Sequence, residues 1–145
     1  MINLNHYLDP VCLDKPVIKH LSVTAGFSHN ISINTGNKEL TDTRGYSIAI
    51  IGIPDDRRSV NSGAALAPDK IRESLYSFSR LSGRLKIIDL GNLKTGVSFE
   101  DTLVGLRDVL NKIADAGTVP VLLGGTCALM PAIDRFLSAS KTPWS

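Results

Sequence analysis

Three short apolar runs, each closed by proline or glycine, constrain the fold of this chain more than any other feature. They are Ser47–Ile53 (SIAIIGI), Lys86–Leu90 (KIIDL) and Val119–Leu123 (VPVLL). Runs with so little polar alternation are typical of strands that are buried on both faces, as in parallel sheets. The sequence therefore predicts three core strands of one parallel sheet, with Gly91 ending the second strand.

A helical pattern follows each predicted strand. Pro68 and Pro131 occupy positions that the first turn of a helix tolerates. Ser98 and Asp101 have the spacing of a capping box, and Gly117 stands where glycine commonly follows a helix end. The apolar positions at helical spacing are Ile71, Leu75, Phe78 and Leu81 in the first helix, Phe99, Leu103, Leu106, Leu110 and Ile113 in the second, and Leu129, Ile133, Phe136 and Leu137 in the third.

Alternating strands and helices predict an α/β fold with three layers, α/β/α, around a parallel sheet. Residues 45–145 would form this domain. Residues 1–44 lack long periodic segments, and we interpret them as an N-terminal arm or lid with a hairpin near Ile31–Ile33. Because three parallel strands leave two apolar edges, we expect the domain to be incomplete in this chain, or an edge to be covered by another segment.

Composition limits the partners and the location of the protein. The chain has 145 residues and a formal net charge of +2, so it carries no basic footprint for nucleic acid. It has neither an apolar window long enough to span a membrane nor the apolar run of a signal peptide. Cys12 and Cys127 match no metal or redox spacing, which favours reduced thiols in a cytoplasmic protein. The sheet edges and the arm predict self-association.

Polar residues follow the predicted strands at their carboxyl ends, where open parallel sheets bind ligands. The candidate pocket-lining residues are Asp55, Asp56, Asn61, Asn92, Thr126 and Cys127. The segment Asp55–Arg58 has two interpretations: it holds a cation or an anionic substrate, or it forms a self-neutralised surface turn. Asp89 is a carboxylate inside a predicted strand, and we expect a backbone N–H or an arginine as its partner.

The segment Gly124–Cys127 raises further alternatives. Two glycines between a strand and a helix are similar to a phosphate-binding turn, but the motifs G-x-G-x-x-G and G-K-[ST] are both absent. Cys127 would lie at a helix N-terminus, which favours the thiolate. An inert structural thiol, a reactive thiol and a metal ligand therefore all stay open. No candidate base is near it, since His6, His20 and His29 all lie in the arm.

Taken together, these segments resemble the opening of the ureohydrolases, the family of arginase, agmatinase and formimidoylglutamase. The resemblance covers about residues 45–140. It is strongest for the divergent formimidoylglutamase-like branch, where a similar arm precedes the domain. The matching segments are IIGIP (50–54), Gly63 and Ala64, APDKIRESLY (67–76), IIDLGN (87–92) and VPVLLGG (119–125), with SVNSGAALAPDKIRESLY (59–76) as the longest.

The resemblance implies an arginase-like fold and two manganese ions, which activate a bridging water for attack on a guanidinium or formimino carbon. It implies three ligand motifs: the histidine of Gly-Gly-Asp-His-Ser, an Asp-x-His-x-Asp and a later Asp-x-Asp. At the first motif this chain has Thr126 and Cys127 in place of aspartate and histidine, and a thiolate suits manganese poorly. Asn92 stands where many members have aspartate. The other two motifs would lie beyond Ser145, so we expect no metal or cofactor in this chain.

Three functional hypotheses follow. The first is the N-terminal part of a ureohydrolase-like protein without catalytic activity in this chain, because the ligand histidine is replaced and the later ligands are absent. The second is a fragment of an active, metal-dependent amidine hydrolase that cleaves a C–N bond. The third is a small-molecule binding α/β module, since a fold does not determine a function. One tightly bound manganese per chain would count against the first hypothesis, and an Asp-x-His-x-Asp just after Ser145 would favour the second. Saturable binding of a nucleotide would support the third.

Overall fold

A computed structural model describes residues 3–12, 31–37, 40, 42–78 and 85–139. Within these residues the chain forms one five-stranded sheet flanked by three α-helices. The strands are β1 (Leu8–Asp9), β2 (Ile31–Ile33), β3 (Ile48–Gly52), β4 (Ile87–Leu93) and β5 (Val119–Leu123). The helices are α1 (Ala67–Leu75), α2 (Phe99–Asp115) and α3 (Met130–Ala139), and short 3₁₀ turns span Leu4–His6, Ala64–Leu66 and Cys127–Leu129.

The central strand of the sheet is β3, which pairs in parallel with β4 on one side and β5 on the other. This confirms the predicted α/β fold with a parallel core. Two segments of the predicted arm lie along the outer side of β4: β2 in parallel at its start and β1 antiparallel at its end. Ile31–Ile33 therefore pairs with β4 and forms no hairpin within the described residues. The division at residue 44 stays a prediction.

β4 is longer than predicted, because it continues through Gly91 to Leu93. The prediction that Gly91 ends this strand is wrong. The strand continues because it pairs with β1, in which Leu8 lies opposite Leu93 and Asp9 opposite Asn92. A Cβ atom at Gly91 would lie 2.0 Å from the carbonyl oxygen of Asp9, so the glycine allows the arm to approach and the strand to go on.

The two faces of the sheet contact different helices. Alternate residues of β3 and β4 pack against α2, α3 and the first residues of the arm, and the others face α1. The capping box of α2 is confirmed, and Gly117 follows the helix in the left-handed conformation at φ 72°. Among the described helices, none has the length and apolar character that crossing a membrane requires.

The orientation of α1 differs from the prediction. Pro68 lies in the first turn, as expected, but the buried side chains are Pro68 and Arg72 rather than the apolar stripe. Ile71 is 40% exposed and Phe78 is 61% exposed. The helix ends at Leu75, and Leu81 lies outside the described residues. The stripe was a misleading guide because a buried ion pair, described below, turns the Arg72 side of the helix toward the sheet.

Candidate functional site

The carboxyl ends of β3, β4 and β5 lie side by side, since the three strands run in parallel. Asp55 and Thr126 meet directly there: the backbone N–H of Thr126 donates to the carbonyl oxygen of Asp55 at 3.0 Å. The loops after β3 and β5 are therefore in contact. Of the other candidate residues, Asp56 and Asn61 make contacts within the loop after β3, and Asn92 contacts α1.

Asp55 is a buried carboxylate, with 2% of its surface exposed. Its Oδ1 accepts hydrogen bonds from the backbone N–H of Arg57 at 2.9 Å and from Arg57 Nε at 3.0 Å. Its Oδ2 accepts from Arg57 Nη2 at 2.5 Å. The hydrogen bonds from Arg57 hold the pKa of the Asp55 carboxyl below its usual value, although burial acts in the opposite direction. The Asp55 carboxylate is thus neutralised within the turn, as one of the two interpretations proposed, and it is buried, whereas the Arg58 side chain is exposed.

The next residues of this loop stabilise the loop itself. Asp56 is half-buried, and its Oδ2 accepts from the backbone N–H of Gly63 at 3.1 Å. Asn61 is exposed, and its backbone N–H donates to Ser59 Oγ at 3.2 Å. Arg58 has a left-handed backbone at φ 62°, an uncommon conformation for a residue other than glycine.

Contacts from α2 hold the Arg58 side chain in place. Its guanidinium pairs with Glu100 and lies 4.5 Å from the ring centroid of Phe99. The arginine therefore stacks on the first turn of α2 and is not directed at a shared pocket by any described contact.

Asn92 faces α1. Its Oδ1 accepts from Arg72 Nη1 at 2.5 Å, and its Nδ2 donates to Asp69 Oδ1 at 3.3 Å. A Cβ atom at Gly52, the residue opposite Asn92 in β3, would lie 2.0 Å from Asn92 Oδ1. The glycine thus leaves the space through which the amide reaches α1, and the described contacts occupy both polar atoms of the amide.

The buried network around Arg72 was not predicted from the sequence, although the type of partner that Asp89 requires was. Arg72 Nε and Nη2 donate to the two oxygens of Asp89, each at 2.8 Å. The backbone N–H of Gly91 donates to Asp89 Oδ1 at 3.0 Å, and Tyr76 Oη donates to Oδ2 at 2.5 Å. An arginine and a backbone N–H as partners confirm that prediction. The spacing of Pro68, Arg72 and Tyr76, four residues each, was the signal that could have identified this face of α1.

Burial and charge shift the acid–base properties of this network. Burial alone would lower the pKa of Arg72, but the hydrogen bonds and charge of Asp89 outweigh it and raise that pKa. Burial, reinforced by the charge of Asp89, raises the pKa of the Tyr76 hydroxyl far above its usual value. Arg72 therefore stays cationic and Tyr76 stays a neutral donor at any physiological pH. Such groups stabilise the fold and are poor candidates for proton transfer.

The loop after β5 packs tightly against its neighbours. A Cβ atom at Gly124 would lie 2.7 Å from Pro68 Cδ, and one at Gly125 would lie 2.9 Å from the carbonyl oxygen of Ile53. Both glycines also have positive φ angles, of 70° and 85°. The glycine pair thus allows close contact with α1 and β3, and these contacts account for it without a phosphate group.

Thr126 and Cys127 begin the short helical turn after this loop. Thr126 is buried, with 4% of its surface exposed, and its Oγ1 accepts from the backbone N–H of Ala128 at 3.2 Å. Cys127 is an exposed free thiol. Among the described residues, no group of three or more His, Cys, Asp or Glu side chains is arranged to hold a metal ion. His20 and His29 lie outside the described residues.

Two grooves in the described part of the molecule lie away from this edge. One of about 370 Å³ runs between α2 and α3, with Arg107, Arg135 and Phe136 in its lining. The other, of about 380 Å³, lies on the outer face of α1 beside Ile71 and Phe78. Neither groove is lined by any of the candidate residues predicted at the strand ends.

Comparison with known proteins relates this chain to one family. A family model described as the arginase family matches residues 46–134. The formimidoylglutamases of Salmonella paratyphi C (strain RKS4594) and Salmonella choleraesuis (strain SC-B67) are each 34% identical to this chain over 83 residues. That of Salmonella heidelberg (strain SL476) is 32% identical over 83 residues. Each match covers 54% of this chain and 26% of the relative, so the matched part spans about a quarter of the length of these relatives.

Proposed function

This chain belongs to the arginase family, and we propose that it is the N-terminal part of a ureohydrolase-like protein without catalytic activity. The observation that carries the proposal is the engagement of the polar groups at the strand ends with one another. The Asp55 carboxylate is paired with Arg57, and the Asn92 amide is bound by Arg72 and Asp69. These groups stabilise the loops, which leaves few of them for a ligand.

The donor set at the strand ends does not fit manganese, which the resemblance implies for active members. Manganese prefers hard oxygen donors such as carboxylate and carbonyl groups. Thr126 and Cys127 stand at the positions that resemble the aspartate and histidine of the family motif. The hydroxyl of Thr126 caps the following turn, and the Cys127 thiol is a soft ligand. The Asp55 carboxylate carries an arginine partner that a metal would have to displace. These features support a member of the family that has lost its metal chemistry.

The proposal is tested on the full-length protein that contains this chain. The protein is purified with Mn²⁺, its metal content is measured, and it is assayed with arginine, agmatine and N-formimidoylglutamate. We expect less than one tightly bound manganese per chain and no urea, ammonia or formamide above the rate without protein. One tightly bound manganese per chain together with turnover of any of the three amidines would overturn the proposal.

An active metal-dependent amidine hydrolase is the second candidate, since the relatives at 32–34% identity are named formimidoylglutamases. On this alternative, a metal site assembled mostly outside this chain would tolerate Cys127. The two candidates differ in their response to Cys127→Ser and Cys127→His. If the protein is catalytic, histidine should raise the affinity for Mn²⁺ and serine should not. If the protein is non-catalytic, both variants should bind Mn²⁺ as weakly as the natural chain.

Self-association through the sheet is a further part of the proposal. The structure places β1 and β2 on the outer side of β4. The outer side of β5 has no partner strand within the described residues. The side chains of Val119 and Val121 in this strand are 46% and 37% exposed. An unpaired edge of this kind favours pairing with another strand. Light scattering over a concentration series measures it, and a monomer at every concentration would contradict it.

A further inference from the structure

Arg57 donates hydrogen bonds to other groups at the strand ends besides the Asp55 carboxylate. Beyond the carboxylate, its Nη1 donates to the carbonyl oxygens of Gly96 at 3.2 Å and Val97 at 3.1 Å. Its Nη2 donates to Thr102 Oγ1 at 2.8 Å. Gly96 and Val97 belong to the loop after β4, and Thr102 lies in the first turns of α2. One guanidinium therefore connects the loop after β3 with the loop after β4 and the helix that follows it.

The third strand-end loop is connected through Asp55. The carboxylate of Asp55 accepts from Arg57, and its carbonyl oxygen accepts from the backbone N–H of Thr126 at 3.0 Å. Thr126 then caps the turn that carries the exposed Cys127. The three loops at the carboxyl ends of β3, β4 and β5 thus share one continuous set of hydrogen bonds with Arg57 at its centre.

The chemistry of these contacts requires a guanidinium. Arginine presents five N–H donors in a planar fork, whereas lysine presents a compact ammonium at the end of a flexible chain. Arg57 uses Nε and Nη2 on the carboxylate and Nη1 on two carbonyl oxygens. Thr102 Oγ1 also accepts from the backbone N–H of Gly96 at 2.8 Å, so it joins the guanidinium to the same loop by a second route.

We propose that Arg57 is a positioning residue for the carboxyl-end surface of the sheet. It holds the three strand-end loops in one arrangement and thereby places the turn at Thr126 and Cys127 relative to the loop at Gly96. The inference goes beyond the proposed function, because it concerns the geometry of the surface and holds whether the protein turns over an amidine or not.

The test is hydrogen–deuterium exchange of the full-length protein, read by mass spectrometry on peptides that cover residues 94–98 and 124–129. Loss of the Arg57 contacts should allow these two loops to open separately from the sheet. We expect Arg57→Ala to raise the exchange of both peptides by about tenfold or more, as for the loss of a hydrogen bond to a buried charge. The peptide that covers Ile48–Gly52 reports global unfolding, and its exchange should rise less than that of the loops.

Arg58→Ala is the matched control, because the neighbouring arginine pairs with the exposed Glu100. It should leave exchange of the peptide 124–129 unchanged. Arg57→Lys keeps a cation beside Asp55 and therefore decides the matter if Arg57→Ala does not fold. Lysine cannot reach Asp55, Gly96 and Val97 together, so this variant should also exchange faster in both loops. Millimolar guanidinium ion should partly restore protection to Arg57→Ala, whereas the same concentration of sodium should not.

Equal exchange of both loops in Arg57→Ala and Arg58→Ala would overturn the inference. So would a rise that affects the peptide of β3 as strongly as the loops, since that would show a general loss of stability. If Arg57→Ala does not fold, exchange of both loops in Arg57→Lys at the same rate as in the natural protein would also overturn the inference. None of these measurements uses metal content or turnover, so failure here is distinguishable from failure of the proposed function.

Discussion

Arg72 binds Asp89 through two parallel hydrogen bonds, from Nε and Nη2 to the two carboxylate oxygens, each at 2.8 Å. Both side chains are buried, with 2% and 0% of their surfaces exposed to solvent. Arg72 Nη2 also donates to the carbonyl oxygen of Gly91 at 2.8 Å. A single side chain of α1 therefore binds β4 at two positions, Asp89 and Gly91. This contact determines which side of α1 faces the sheet.

Replacing Arg72 with methionine should strongly destabilise the protein. The substitution keeps much of the side-chain volume but leaves the Asp89 carboxylate buried without its cation, and breaking a buried pair in this way costs about 3–5 kcal/mol. Urea denaturation at pH 7 measures the loss of unfolding free energy. The double variant Arg72→Met/Asp89→Leu should recover part of it, because no buried charge then lacks a partner.

The control for Arg72→Met is Lys70→Met on the same helix. Lys70 pairs with Glu73 at 3.0 Å, but its side chain is 71% exposed. Exposed pairs of this kind contribute little, so the change should stay within about 0.5 kcal/mol. Equal losses in the two variants would mean that the buried pair does not hold α1 on the sheet.

This pair also shows where inference from the sequence was limited. The start and end of α2 depend on local signals, namely Ser98, Asp101 and Gly117, and these were predicted and confirmed. The rotation of α1 depends on the contact of Arg72 with Asp89, 17 residues further along the chain. No pattern within the helix contains that information, and the apolar residues at helical spacing indicated an adjacent face, on which Leu75 packs against the core while Ile71 and Phe78 are exposed.

In the candidate site too, local sequence patterns predicted the positions of the loops but not the contacts between residues that are distant in sequence. The order of strands and helices was sufficient to predict which loops lie at the carboxyl ends of the strands. The partners of individual side chains were not predictable, since Arg57 reaches Thr102 across 45 residues of sequence. Asp89 is the exception, because burial of a carboxylate in a strand limits its partners to a few types.

Asn92→Asp should lower the stability of the protein, although aspartate is nearly the same size. The amide donates to Asp69 Oδ1 at 3.3 Å while accepting from Arg72 Nη1. A carboxylate cannot donate, and it would place a second negative charge against Asp69, so we expect a loss of about 1–2 kcal/mol at pH 7. Urea denaturation measures it. Asn111→Asp, the same change at an exposed position of α2, should cost less than about 0.5 kcal/mol.

Stability should depend on pH through Asp55. Hydrogen bonds from Arg57 lower the pKa of this carboxyl in the folded protein, whereas in the unfolded chain it is about 3.9. A lowered pKa contributes stability that is fully present above the unfolded value and is lost as the pH falls through the folded value. The difference in unfolding free energy between the natural protein and Asp55→Asn should therefore be constant from neutral pH to about pH 5 and shrink below about pH 4.

A matched comparison isolates this effect from other carboxyl groups. Asp55→Asn/Arg57→Gln removes both charges, so the difference between this double variant and Arg57→Gln alone measures Asp55 without its partner. The difference in unfolding free energy between the double variant and Arg57→Gln should vary less with pH than the difference between Asp55→Asn and the natural protein. A difference between the natural protein and Asp55→Asn that grows as the pH falls would contradict the assigned direction.

Pro120 limits pairing at the outer side of β5. Val119 N–H donates to the carbonyl oxygen of Ser47 at 3.0 Å, and the carbonyl oxygen of Leu123 accepts from Ile53 N–H at 3.0 Å. Backbone groups of alternate residues in a strand point to opposite sides, so those of Pro120 point away from β3. Proline has no N–H, and its position on an edge removes a donor that an added strand would use.

Pro120→Ala should therefore increase self-association of this chain. The substitution restores one N–H on the outer side of β5 and leaves the bonds to β3 in place, although loss of the proline ring should lower unfolding free energy by about 0.4–1 kcal/mol. Light scattering after gel filtration, over a series of concentrations, measures the fraction above monomer mass. Val119→Ala changes an exposed side chain of the same strand without adding a donor and should not raise that fraction. An unchanged mass distribution in Pro120→Ala would mean that the missing donor does not limit pairing at this edge.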